Sequence, residues 1–137
     1  MRQSLVFTDT DRRRLGSLLQ LKETQASVPW ERLDELEWQL ESSEVTDSES
    51  ISDDVVTMHS TVSLVSESSG EMMTRTVVYP EDVELFDNAI SVLDTLGSNL
   101  IGCEVSDTVE CEQGGLIDRW RIVNISYQPE REGDFYR

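Results

Sequence analysis

Positive charge, cysteine, histidine and long apolar runs are all scarce in this chain of 137 residues. No stretch approaches the roughly 20 consecutive apolar residues that a membrane-spanning helix needs. The opening Met1-Arg2-Gln3-Ser4-Leu5 lacks the apolar core of a secretion signal. Lysine and arginine total 11 against 28 aspartates and glutamates, a net charge of −17. With no basic patch to displace counterions, bare nucleic acid is not expected as a direct partner. His59 is the single histidine, and Cys103 and Cys111 are the only cysteines. Without a second ligand cluster these make a poor zinc site, so no metal and no cofactor are expected. In the absence of a signal segment, both thiols are expected to stay reduced. The chain has no phosphate-binding loop, dinucleotide fingerprint or nucleophile elbow. His59 has no Ser, Cys or Asp at a recognisable catalytic spacing, and reads as a structural or surface residue.

What is present suffices for one domain and an accessory element. Hydrophobic residues make up 37% of the chain, enough for one modest core. The acidity fits solubility and partner selection equally well, and a saline habitat would also produce it. After the apolar lead-in Leu5-Val6-Phe7, Thr8 or Asp9 is placed to cap a helix. Asp9 and Asp11 fall in its first turn, where the helix dipole favours negative charge. Leu15, Leu18 and Leu19 recur at helical spacing. Gln25-Ala26-Ser27 reads as a small polar break. Ser27 is placed to cap a second helix, with Pro29 in its first turn and Trp30, Leu33, Leu36, Glu37 and Leu40 on its seam. Two short amphipathic helices with a tight break predict an antiparallel hairpin, with two ordinary helices packed on a globular core as the alternative. Trp30 and Trp38 do not share one narrow stripe, so one of them is expected to be partly exposed. Residues 42–54, rich in Ser, Asp and Glu, predict a weakly ordered hinge.

The remainder predicts a small α+β domain. Thr61 to Val65 alternates as a strand does, Glu67-Ser68-Ser69-Gly70 is turn chemistry, and Met73 to Tyr79 is the return strand, ended by Pro80. Glu81 to Asn88 is an acidic connection with one helical turn around Val83, Leu85 and Phe86. Ile90-Ser91-Val92 is a brief strand, Asp94 or Thr95 caps the helical turn after it, and Gly102 is placed to end that turn in a left-handed conformation. Val109-Glu110-Cys111-Glu112 alternates as a half-buried strand, and Gly114-Gly115 supplies a tight hairpin. The last strand carries Trp120, Ile122, Val123, Ile125 and Tyr127 and is too apolar for an exposed edge.

Three stretches carry a family resemblance: Asp54-Val55-Val56-Thr57-Met58-His59-Ser60, Val78-Tyr79-Pro80, and Tyr127-Gln128-Pro129-Glu130 with Gly133-Asp134. With the order Ile90-Ser91-Val92, Leu100-Ile101-Gly102, Gly114-Gly115 and Tyr127, the chain resembles the C-terminal domain of the Gre transcript-cleavage factors. The resemblance is tighter to one branch of that superfamily, the regulators of nucleoside diphosphate kinase. It covers Asp54 to Asp134. It implies a short N-terminal antiparallel helical hairpin (coiled coil) over residues 1–43, an acidic linker over 44–54, and an FKBP-like, mostly antiparallel β domain over 55–137. The resemblance is also what favours a protruding hairpin over helices packed on the core. An aromatic cleft for prolyl isomerisation is possible in that fold, but Trp120, Tyr79 and Tyr127 read as core.

The resemblance also implies a partner: RNA polymerase, bound at the rim of its secondary channel by a cytoplasmic monomer. In the Gre factors, acids at the tip of the coiled coil help hold a catalytic metal beside backtracked RNA, which requires clustered carboxylates. The corresponding tip here is Gln25, Ala26, Ser27, Val28 and Pro29, with no carboxylate. The nearest acids are Glu23 and Glu31, and Glu31 and Asp34 share a helical face below the tip. The helices are also much shorter than the Gre arms. The expected role is therefore competition with Gre factors without stimulated cleavage and without catalysis. The implied docking residues are Asp94, Thr95 and Leu96. Thr95 stands where the family pattern has a proline, which leaves the loop freer. Leu96 is the apolar anchor, and Leu96→Asp is expected to abolish binding without unfolding the domain. An effect on nucleoside diphosphate kinase levels would be indirect, through transcription. A Gre-type cleavage factor and an acidic interaction module that never touches polymerase are the alternatives.

Overall fold

The computed structural model describes residues 5–85, 87–113 and 115–133. Phe86 of the acidic connection, Gly114 of the hairpin turn and Asp134 of the closing motif lie outside the described residues. Strand β1 (Val6–Thr8) runs straight into helix α1 (Asp9–Gln20). Thr8 is the N-cap, and its hydroxyl accepts the Asp11 amide at 3.0 Å. α1 stops at Leu21, whose backbone is extended, and α2 (Lys22–Ser27) follows at once. The break thus falls earlier than Gln25-Ala26-Ser27, which form the last turn of α2. None of the three is a helix breaker, and the Ser27 hydroxyl donates back to the Glu23 carbonyl at 2.8 Å. Pro29 is what ends α2. A residue before proline is pushed out of the helical region, and Val28 sits at φ −114°, ψ 133°. Pro29, not Ser27, occupies the N-cap of α3 (Trp30–Ser42). Its carbonyl accepts the Arg32 and Leu33 amides at 3.0 and 3.2 Å.

The helices do not stand clear as a protruding arm. Leu15, Leu19, Leu36 and Leu40 are buried in one cluster with Phe7, Leu64, Val77, Val92 and Ile122. Short helices draw most of their stability from burying such a stripe. The expected hinge is also tied down. β2 (Glu44–Thr46) pairs in parallel with β1, and the Glu44 amide donates to the Leu5 carbonyl at 2.9 Å. Ile51 is buried. The buried Gln128 donates from Nε2 to the Ser52 and Val55 carbonyls at 2.8 and 2.7 Å. These partners are distant in sequence, so local composition carried no sign of them.

The main sheet has β3 (Thr61–Ser66), β4 (Met72–Val78), β5 (Ala89–Ser91), β6 (Thr108–Gln113) and β7 (Leu116–Tyr127), in the order β5-β4-β3-β7-β6. Within this sheet only the β4–β5 pairing is parallel among the described residues, so the protein is α+β with a mostly antiparallel main sheet. β7 lies between β3 and β6, as its apolar content predicts. Gln113 pairs with Leu116, and Gly115 takes φ +83° in the turn between them. A 3-10 helix, Pro80–Leu85, fills the acidic connection, and α4 (Thr95–Leu100) follows β5. Gly102 has φ +84°, as predicted, and a Cβ there would press on Leu5 and Phe7 at 3.1 Å. Among the described residues, no helix is long and apolar enough to cross a membrane.

Candidate docking site

The segment from Ser91 to Leu96 is held by its own backbone. The Ser91 hydroxyl accepts the Leu93 amide and its carbonyl accepts the Asp94 amide, both at 3.0 Å. Asp94 is the N-cap of α4, though its side chain makes no capping bond, and its carbonyl accepts the Ser98 amide at 2.8 Å. Thr95 is therefore the first residue of a helix and not part of a free loop. Asp94 and Thr95 are exposed, whereas Leu96 is half-buried against the core. This corrects the expectation for Leu96→Asp: the change would set a charge into an apolar contact and weaken the fold itself. The first helical position suits proline, because its fixed φ matches and its missing N–H is an orphan there. Thr95→Pro is accordingly expected to stabilise the protein by about 0.5–1 kcal/mol. A lower urea midpoint for that variant would contradict the assignment.

The helical tip meets this helix start. Arg32 Nη1 donates to the Leu93 carbonyl at 3.1 Å. Ser27, Val28 and Pro29 line one groove of about 580 Å³ together with Leu93, Asp94 and residues of the 3-10 helix. Gln25 and Ala26 are exposed on α2, and Gln25 Nε2 reaches the Leu19 carbonyl at 3.3 Å. Of the predicted residues, the structure thus brings Ser27, Val28, Pro29 and Asp94 together. Thr95 and Leu96 are not among those lining the groove. Glu81, Glu84 and Asp94 give it an acidic rim, while the Arg32 guanidinium is already engaged.

Between α1 and the sheet domain is a buried polar cluster that sequence reasoning missed. Asp11 Oδ2 accepts the Met58 amide at 3.1 Å. Burial pushes the Asp11 carboxyl up to about 7, and the charge of Glu130 adds to the rise; the Met58 bond, Arg14 and Thr8 oppose it. Glu130 Oε1 accepts the Thr57 hydroxyl at 2.7 Å. The Arg14 guanidinium lies 4.8 Å from the centre of the Tyr79 ring. Burial, and then the Asp11 charge, push the Tyr79 phenol well up. Tyr79 meets His59 edge-on at 5.6 Å, and His59 Nε2 lies 3.2 Å from Asp82 Oδ2. His59 is buried with φ +68°, a structural histidine. The three motifs of the resemblance, around Met58, Tyr79 and Glu130, converge here and clamp α1 to the sheet domain. One sign was legible: Asp11 lies one turn before Leu15, on the apolar side of α1.

Residues 51–127 match the family model described as transcription elongation factor, GreA/GreB, C-term. The chain belongs to the GreA/GreB family. It is 32% identical over 135 residues to the regulator of nucleoside diphosphate kinase of Escherichia coli strain K12, covering 98% of this chain and 97% of that one. Within the family it belongs with these regulators. It is also 33% identical over 98 residues to transcription elongation factor GreA of Syntrophus aciditrophicus, covering 72% of this chain and 61% of the relative. Among solved structures, a prokaryotic transcription elongation factor GreA/GreB from Nitrosomonas europaea is 39% identical. It matches with a TM-score of 0.77 over 92% of this chain and 100% of that one.

Proposed function

We propose that this protein is a transcription regulator that binds RNA polymerase at the rim of the secondary channel. There it competes with Gre factors without stimulating RNA cleavage. The observation that carries this reading is the groove in which the carboxylate-free tip lies beside Asp94. One partner surface entering the groove would meet both elements at once. Its acidic rim favours a basic surface on the partner. Helices of 12 and 13 residues are only about 18–20 Å long and lie packed on the core, which suits the mouth of a channel better than its depth. Residues 1–43 then supply the tip and 55–137, an FKBP-like module, supplies Asp94 and Thr95. The residues 44–54 connect them. Occupancy of the shared site follows mass action between rivals. Any change in nucleoside diphosphate kinase levels is then a downstream effect of transcription.

The test is retention of core RNA polymerase on the immobilised protein, with GreA added as competitor, together with RNA cleavage in stalled complexes. Retention that falls as GreA rises, with no added cleavage, is the expected outcome. Stimulated cleavage would favour the Gre-type reading, and no retention would remove polymerase as the partner. Asp94→Arg, at an exposed position, is expected to weaken retention about tenfold. An unchanged affinity would move the docking site elsewhere.

A further inference from the structure

The inner side of α3 is accounted for by the fold: Leu36, Gln39 and Leu40 are buried, and Arg32 holds the Leu93 carbonyl. Its outer side is not. Trp30 is 72% exposed and Trp38 68% exposed, so both indoles face solvent where the sequence suggested only one. Single exposed apolar residues are ordinary, but two tryptophans on the outer side of one short helix are not. Tryptophan is also the residue type that most often dominates binding energy at protein interfaces. The two stand about 12 Å apart along the helix axis, with the exposed Asp34 between them.

We propose that the outer face of α3 is a docking surface for a helix of a protein partner that presents lysine and arginine. Charge selects this occupant. Glu31, Asp34, Glu35, Glu37 and Glu41 are exposed around the two indoles, and Arg32, the one basic residue of α3, is engaged elsewhere. Lysine and arginine would pair with the carboxylates and stack on the indole faces. A second copy of the chain would set these carboxylates against their own kind in a molecule of net charge −17. Nucleic acid and anionic membranes are repelled for the same reason. Geometry selects a helix: anchors about 12 Å apart approximate the i, i+7 spacing of a helix laid alongside, about 10.5 Å. This face is separate from the groove, and its partner is defined by chemistry, whether or not the groove binds polymerase.

The test uses the full chain and a fluorescent synthetic peptide, an amphipathic helix with a leucine stripe flanked by lysine and arginine, read by anisotropy. Saturable binding is expected, weakened about tenfold or more by the Trp30→Ala, Trp38→Ala double variant. A peptide of the same composition in scrambled order is expected to bind similarly poorly. Both tryptophans are exposed, so circular dichroism should be unchanged in the variant. Equal binding of the scrambled peptide, equal binding by the double variant, or no binding would each overturn the proposal. So would a dimer in sedimentation, or binding to phosphatidylserine vesicles, that the double variant abolishes.

Discussion

Asp11→Asn should make this protein more stable at pH 8 and leave it nearly unchanged at pH 4. The wild-type carboxylate is buried, and its folded-state pKa of about 7 stands well above the ordinary 3.8. A raised folded pKa means that the folded state holds its proton more tightly than the unfolded state does. The stability this gives is fully present below about pH 4 and is lost as pH rises through about 7. The loss amounts to roughly 2–4 kcal/mol. Asparagine keeps a carbonyl oxygen for the Met58 amide and has no charge to bury, so it escapes the loss. Urea denaturation of both proteins at the two pH values measures the difference directly. The chain's other carboxylates are common to both and cancel. Parallel pH dependences would mean that the Asp11 charge is compensated inside the fold. Glu130→Gln should narrow the gap, because Glu130 contributes to the rise. Asp11→Ala should behave differently: it leaves the buried Met58 amide unpaired and destabilises by about 1–3 kcal/mol at pH 4, whereas at pH 8 the relief from the buried charge offsets that cost.

Gly97→Ala should destabilise by about 2–4 kcal/mol, against the direction of helix propensity, which favours alanine by about 1 kcal/mol. Gly97 lies in α4 against the end of β5. An added Cβ would sit 2.9 Å from the Ser91 carbonyl carbon, deeper still against the Ser91 oxygen, and 3.1 Å from the Val92 Cα. All three are backbone atoms, so no rotamer change relieves the contact and α4 itself must move. The same movement displaces Asp94 and the Leu93 carbonyl that holds Arg32. Loss of stability is therefore expected, together with loss of polymerase retention if the proposed docking site is the one in use. A gain in the urea midpoint would mean that α4 has room to shift.

Local chemistry was legible where one or two residues decide it. Thr8 caps α1, Gly102 and Gly115 take positive φ, and β7 runs through the sheet interior, all as their sequence contexts indicate. The family, and with it a mixed α+β fold, could be read from Met58-x-Ser60 and Tyr127-Gln128-Pro129. The structure explains why those motifs are informative: they meet in space at the Asp11 and Gln128 bonds. What could not be read was set by distant partners. The Glu44–Thr46 strand exists because β1 offers an edge, and Asp11 is buried because Met58 supplies an amide. The helices lie on the domain because their leucines find Phe7 and Val92 there. The helix break between the arm helices was misread for a local reason, since Gln25, Ala26 and Ser27 stay helical and the proline at 29 is what ends α2.

The position of β7 has a consequence for how the protein is made. β7 is the last of the sheet strands to leave the ribosome, yet it sits inside the sheet and bridges β3 to β6. Until it emerges, the β3 edge that β7 will cover has no partner. Gln128, which closes onto Ser52 and Val55, comes later still. Between the synthesis of β3 and that of β7 the nascent chain thus carries a half-apolar strand with one open edge, a state prone to association between chains. A closing step that joins segments this far apart in sequence is also intrinsically slow. The delay between the synthesis of β3 and that of β7, and the chaperone supply during it, should therefore affect the yield of this protein alongside its final stability.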